Sequence, residues 1–315
     1  MTEMESPNRG SGGLPHRGAG DQSADVTLSA TRVAPCESSA DTARSSGRSA
    51  VVSIIGAGVM GETLLSGLLR AGRSPSDLVV GEKRAERAAE LEERYGVTVL
   101  GNVEAVTKAD TITLVVKPQD MGDVLAEIGP HVRPGQLVVS LAAGITTGFL
   151  ERRLPDGVAV VRVMPNTPAL VDEGMAAISR GTHCSEEQLD IAEELLSATG
   201  KVVRVPEKQQ DAVTAVSGSG PAYLFFVVEA MIEAGVHLGL PRNTSAELVI
   251  QTVIGSAKLL RETGEHPTVL REQVTSPGGT TAAAIRELED HKVRAAFLSA
   301  LEAARDRSRA LAGDE

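Results

Sequence analysis

Gly56-Ala57-Gly58-Val59-Met60-Gly61 directly follows the apolar run Val51-Val52-Ser53-Ile54-Ile55 and leads into Leu64, Leu65, Leu68 and Leu69 at helical spacing. A G-x-G-x-x-G pattern alone is common, but between a strand and a helix it constrains a chain sharply. Gly56 permits a tight turn, Gly58 lets backbone approach a pyrophosphate, and Gly61 allows close helix–strand packing. The helix start behind them offers unpaired N–H groups and the positive end of its dipole. A purely structural turn does not need all three glycines at this spacing. The six residues are therefore read as a dinucleotide-binding loop.

The same strand–helix alternation continues for another 150 residues or so. Strands are expected at Leu78-Val79-Val80 and at residues 97–100, 112–116, 137–141 and 158–163, with helical stretches between them. Such alternation specifies βαβ units, a parallel sheet and right-handed crossovers. A last βαβ-like pass runs from residues 174–178 through a helix at 185–198 to Val202-Val203. Beyond Asp211 the strand signal stops. Pro221 and Pro241 each can open a long helix, and two more helices are expected at residues 280–288 and 292–311. Several are apolar around much of their girth, which suits packing on the first domain or, more sharply, a dimer interface. The expected fold is thus α/β: a Rossmann dinucleotide-binding domain over residues 49–211, then an all-α substrate and dimerisation domain over residues 212–315.

Composition narrows the function classes. The 315 residues carry a formal net charge of −11 and only 2% aromatics, with no Trp. That gives no attraction to phosphate backbones or anionic membranes, and no stacking platform for single-stranded nucleic acid. Neither nucleic acid nor membrane is an expected partner. No apolar run in the sequence reads as a bilayer span, and the N-terminus lacks the build of a secretory signal. Cys36 and Cys184 form neither a disulfide framework nor a zinc pattern, so no metal site is expected. A cytoplasmic location follows as the expectation. Residues 1–48, rich in Gly, Ser, Ala, Asp and Arg, are read as a disordered extension without assigned chemistry, or as the product of a misassigned start codon.

Several motifs fall at one rim of the expected sheet. Glu82 closes the second strand, where an acid would chelate the adenosine ribose hydroxyls and favour NADH. Lys83 and Arg84 beside it would instead hold a 2′-phosphate and favour NADPH, so the residues leave cofactor choice open. Val115-Val116-Lys117-Pro118, Ser140-Leu141-Ala142-Ala143-Gly144 and Met164-Pro165-Asn166-Thr167-Pro168 each follow a strand, over the crevice where such sheets bind ligands. The small residues Ala142, Ala143 and Gly144 would let a nicotinamide lie against backbone. In the helical half, residues 217–223 and 275–281 are each expected to form a glycine-bearing turn running into a helix. In the second, Ser276, Gly278, Gly279, Thr280 and Thr281 can bind a small carboxylate through N–H groups and hydroxyls. Plain N-capping needs one hydroxyl and no paired glycines.

Taken in order, these motifs resemble those of the pyrroline-5-carboxylate reductase family, over about residues 50–312. The resemblance implies a Rossmann domain followed by helices that interlock in a homodimer, often assembled into a ring of dimers. It implies reduction of (S)-1-pyrroline-5-carboxylate to L-proline with NADPH or NADH. By position it makes Asn102, before the fourth strand, a cofactor contact; the nicotinamide would sit near Ala142-Ala143-Gly144 and Met164-Pro165-Asn166. Glu207 and loop 276–281 become substrate-site residues, and Thr281 the catalytic hydroxyl that reaches the ring nitrogen. Glu82-Lys83-Arg84 stands where the family often has small hydroxyl residues, and the extension has no family counterpart.

Chemically, a cyclic imine needs a hydride on carbon and a proton on nitrogen. A protonated imine is already activated, so a Thr hydroxyl with a water relay suffices and no His or Lys acid is required. A β-hydroxyacid dehydrogenase would carry a catalytic Lys after a glycine-rich helix start, where this chain has Leu224 and Val227. A non-catalytic dinucleotide sensor leaves loop 276–281 without a role.

Overall fold

The computed structural model describes residues 50–313. The extension and Cys36 lie outside them. Eight strands form one sheet in the order β3-β2-β1-β4-β5-β6-β7-β8: β1 (Val52–Ile55), β2 (Leu78–Gly81), β3 (Thr98–Leu100), β4 (Thr111–Leu114), β5 (Leu137–Ser140), β6 (Ala159–Met164), β7 (Gly174–Arg180) and β8 (Gly200–Arg204). Helices α1 (Val59–Arg70), α2 (Ala85–Tyr95), α3 (Asn102–Lys108), α4 (Met121–Ile128), α5 (Thr147–Glu151) and α6 (Glu186–Ser197) connect or flank them.

Successive residues of a strand face opposite sides, and the core divides accordingly. Ile54, Val80, Val139 and Val161 join Leu64, Leu65 and Leu68 of α1, Leu91 of α2 and Leu195 of α6 on one face. Ile55, Val79, Ile112 and Val138 join Val106 of α3, Leu125 of α4 and Leu150 of α5 on the other. Burial on both faces explains why the strands read as unbroken apolar runs.

One strand departs from the expected all-parallel sheet. β7 runs antiparallel to β6, pairing Met164 with Ala177 and Val161 with Arg180. The connection between them, a single 3₁₀ segment (Thr167–Val171) closed by Asp172 at φ 59°, is too short for a crossover. β7 and β8 are parallel across α6, as the last βαβ pass requires.

After Arg204 the described chain is helical: α7 (Gln210–Val213), α8 (Gly220–His237), α9 (Arg242–Thr263), α10 (Pro267–Gln273), α11 (Thr280–Asp290) and α12 (Val293–Gly313). The turn expected at residues 217–223 is itself helical. A π turn over Thr214–Gly218, with the Ser219 N–H donating to the Thr214 carbonyl at 2.8 Å, joins α7 to α8 without a break. The resulting helix, Glu207–His237, is 31 residues long with a mean hydropathy of 1.4 in its most apolar window. It is thus long and apolar enough to span a bilayer, contrary to the expectation from sequence. Its Phe225 and Phe226 are 65% and 71% exposed in the single chain, as is usual for the cut face of an obligate interface.

Candidate active site

The sheet order reverses between β1 and β4, and the loops leaving these two strands diverge there to form a crevice. Gly56 sits on its floor at φ 96°, and a Cβ there would meet the Val115 carbonyl oxygen at 2.9 Å. Its N–H donates to the Gly81 carbonyl at 3.2 Å, so one residue joins the ends of β1 and β2 below the crevice. A Cβ on Gly61 would collide with the Gly56 carbonyl, which locks α1 close against the turn. Gly58 differs: a Cβ there meets nothing within 4 Å, and Gly58 caps α1 without any side-chain bond. The helix start therefore faces open space with its donors unspent on side chains. This fits a dinucleotide pyrophosphate.

Arg87 of α2 holds this loop from behind, donating to the Ala57 carbonyl at 3.3 Å and to Glu62 at 2.5 Å. Glu62, in the first turn of α1, would repel phosphate if left bare. Burial alone would raise its pKa, but donors from Tyr95 (2.7 Å), Arg87 and Arg94 (2.9 Å) outweigh that and hold it below the usual carboxylate range. The two guanidinium groups also offset its charge. No sequence motif marks Arg87.

After β2, where the adenosine ribose is expected, the Glu82 carboxylate turns into its own loop. It accepts from the Arg84 backbone N–H at 3.0 Å and from the Arg84 guanidinium at 3.1 Å, and its side chain is 8% exposed. Lys83 pairs with Glu127 of α4 at 2.8 Å. Asn102, first residue of α3 and buried, donates to the same Glu127 at 3.0 Å. Val115 and Val116 line the crevice half-buried, while Lys117 is exposed and precedes the short turn opened by Pro118.

The loops expected to face the nicotinamide leave the ends of β5 and β6. Ala142 is buried and Ala143 exposed; Gly144 takes φ 80°, and a Cβ there would lie 4.0 Å from the Leu311 backbone of α12. The Asn166 side chain accepts from the Met175 N–H at 2.8 Å and donates to the Ser217 carbonyl at 3.3 Å. It thereby ties the end of β6 to the π turn, where a Cβ on Gly218 would collide with Met164. Glu207 lies just before α7, its carboxylate engaged by Thr147 and Arg162.

The loop 276–281 is largely exposed in the single chain. Gly278 takes φ 69°, and Gly279 caps α11 with no side-chain bond. Its backbone bonds run within the segment, from the Gly279 N–H to the Ser276 carbonyl and from Ala283 to Gly279. Thr281 is the second residue of α11, so its hydroxyl is not the helix cap. Among the described residues no group of three His, Cys, Asp or Glu is placed to hold a metal ion.

Two family models match the chain. Residues 207–311 match pyrroline-5-carboxylate reductase dimerisation, and residues 51–144 match NADP oxidoreductase, coenzyme F420-dependent. The pyrroline-5-carboxylate reductase of Corynebacterium melassecola is 46% identical over 264 residues, 82% of this chain and 98% of that one. Pyrroline-5-carboxylate reductase 1 of Bacillus subtilis is 39% identical over 266 residues, 84% of this chain and 90% of that one. Among solved structures, a pyrroline-5-carboxylate reductase from Coxiella burnetii superposes with a TM-score of 0.81 at 36% identity, covering 84% of this chain and 99% of its own. Plasmodium falciparum pyrroline carboxylate reductase with NADP bound gives 0.75 at 30%, covering 84% and 98%. The dimerisation match includes the apolar helix Glu207–His237, whose exposed face is accounted for by a second copy of the chain. With both halves matched at this identity, the chain belongs to the pyrroline-5-carboxylate reductase family.

Proposed function

We propose that the chain reduces (S)-1-pyrroline-5-carboxylate to L-proline with NADPH or NADH, in the cytoplasm, as the last step of proline biosynthesis. The observation that carries this reading is the 46% identity over 264 residues, a span that takes in both the dinucleotide half and the helical half. When bound, the reduced nicotinamide supplies a hydride to the imine carbon. The protein's own part is to bind, orient and exclude water. Gly58 and the start of α1 would hold the pyrophosphate, with Arg87 fixing the loop. Ala142, Ala143 and Gly144 would give the nicotinamide a flat backbone bed. The N–H groups at the start of α11 would take the substrate carboxylate, and Thr281 would hold the proton at the ring nitrogen.

The open position of loop 276–281 in one chain supports a site completed by dimerisation, with residues 49–211 holding the nucleotide and 212–315 the substrate. The direct test is oxidation of NADPH and of NADH, measured separately with 1-pyrroline-5-carboxylate, with L-proline quantified as product. Nucleotide oxidation without proline formation would overturn the reading.

A further inference from the structure

Two cations follow β2, and each already has a carboxylate. Arg84 is spent on Glu82, two residues away, in a loop that also closes through the Arg84 N–H. That pair is a local staple. Lys83 instead reaches across to Glu127 on α4, and the same carboxylate oxygen accepts from Asn102. Glu127 is thus a side chain that joins the second-strand loop to the start of α3, and the end of the second strand is where the adenosine ribose is read in this fold.

We propose that Glu127 sets discrimination between NADPH and NADH, by occupying Lys83 and Asn102 and so competing with a ribose 2′-phosphate for them. The inference rests on the dinucleotide reading of the crevice. A 2′-phosphate is recognised by a cation and hydrogen-bond donors, which Lys83 and Asn102 supply. A 2′-hydroxyl has no charge for Lys83 to meet. The Lys83 side chain is 65% exposed and that of Glu127 33%, so their pair is solvent-screened and exchangeable. Phosphate displaces the carboxylate from Lys83 but must work against it, and the residual repulsion falls on NADPH alone. The Glu127 carboxyl is held below the usual range, chiefly by Lys83, with burial opposing and Asn102 assisting. It is therefore charged wherever the enzyme would operate.

The test is direct binding, by calorimetry on the full chain, of adenosine 2′,5′-bisphosphate and of 5′-AMP. Glu127→Gln keeps an acceptor for Asn102 and removes the charge. It should tighten the bisphosphate roughly two- to fivefold, the upper part of the range that a screened pair provides, and leave 5′-AMP unchanged within the error of the titration. In a Lys83→Gln background the same change should lose most of its effect on the bisphosphate. Asp156→Asn, an equal change of net charge before β6, should move neither ligand. Equal tightening of both ligands by Glu127→Gln, no tightening, or tightening undiminished without Lys83 would overturn the inference. If wild type binds neither nucleotide, the dinucleotide reading falls and takes this inference with it. Wild-type binding with an unmoved ratio overturns this inference alone.

Discussion

Thr147 gives both its backbone N–H and its hydroxyl to the carboxylate of Glu207, at 2.7 and 2.5 Å. Thr147 opens α5 just after Ala142-Ala143-Gly144, and Glu207 stands where the helical half begins. Arg162 of β6, its side chain only 7% exposed, donates to the same carboxylate at 3.3 Å. The loop after β5 and the first helix of the dimerisation region are thereby held by one acid.

Glu207→Ala should therefore leave Arg162 buried and without its carboxylate. The expected cost, reduced because Glu207 is itself 31% exposed, is about 2–3 kcal/mol, a Tm fall of roughly 4–12 °C. Glu207→Gln keeps an acceptor for Thr147 and should lose less than half as much. If Glu207 serves the imine directly instead, the Gln variant will raise KM for the imine with Tm nearly intact.

The glycines of the loop separate stability from binding. Gly58→Ala places its methyl in open space; Tm should stay within about 2 °C while nucleotide Kd rises at least tenfold, roughly 1.4 kcal/mol. Gly61→Ala drives a methyl into the Gly56 carbonyl, and overpacking of this kind costs about 1–3 kcal/mol. Thermal melts and nucleotide titration of the two variants check the contrast. Equal behaviour would show that the loop's open space is not where the pyrophosphate lies.

Phe226, exposed at 71% on α8, tests the assembly. If α8 lies in the dimer face, Phe226→Glu would bury a charge in it. Sedimentation should show dissociated or aggregated chain with turnover lowered at least tenfold, whereas the wild type sediments as a dimer or larger. A wild-type monomer with full activity would contradict the interlocked arrangement.

The pH response of the second-strand loop has a defined sign. The Glu82 carboxyl is held below its usual range first by the Arg84 side chain, against burial, and then by the Arg84 N–H. A depressed folded-state pKa means that its stabilisation is complete above the unfolded value of about 4.3 and is lost as pH falls through the folded value. Acidification from pH 6 to 3 should lower Tm, and Glu82→Gln should make that fall shallower. An identical Tm–pH curve in the variant would place the acid sensitivity elsewhere.

Most strands are legible in the sequence because burial on both faces writes them as apolar runs, as with Val51-Val52-Ser53-Ile54-Ile55. The direction of β7 is not legible, since residues 174–178 look the same whichever way they run. Only the shortness of the link after Met164 carries that information. The segment 217–223 resembles a turn because Ser and Gly break helices on average; the π turn at Ser219 and the close packing of Gly218 on Met164 are tertiary effects. Glycine-bearing loops announce the crevice. Arg87, Glu127 and Arg162 do not announce themselves, being single charged residues whose contacts at the site (Arg87 to Glu62, Glu127 to Asn102, Arg162 to Glu207) join residues far apart in sequence through the folded sheet.

Thr281 carries the most exposed prediction. Gly279 is the cap of α11, and Thr281 is the second residue of the helix, so its hydroxyl is not the cap. Thr281→Ala removes that hydroxyl and leaves the backbone donors that would take the substrate carboxylate. A hydrogen bond made to the reacting nitrogen in the transition state is worth roughly 2–4 kcal/mol, or about thirty- to a thousandfold in rate. A lost cap would instead cost about 1 kcal/mol of stability with little change in rate. The variant should keep nucleotide affinity and Tm while kcat/KM for the imine falls at least tenfold, and Thr281→Ser should restore most of it. Retained turnover with a lowered Tm would make Thr281 a structural residue and remove the hydroxyl from the mechanism.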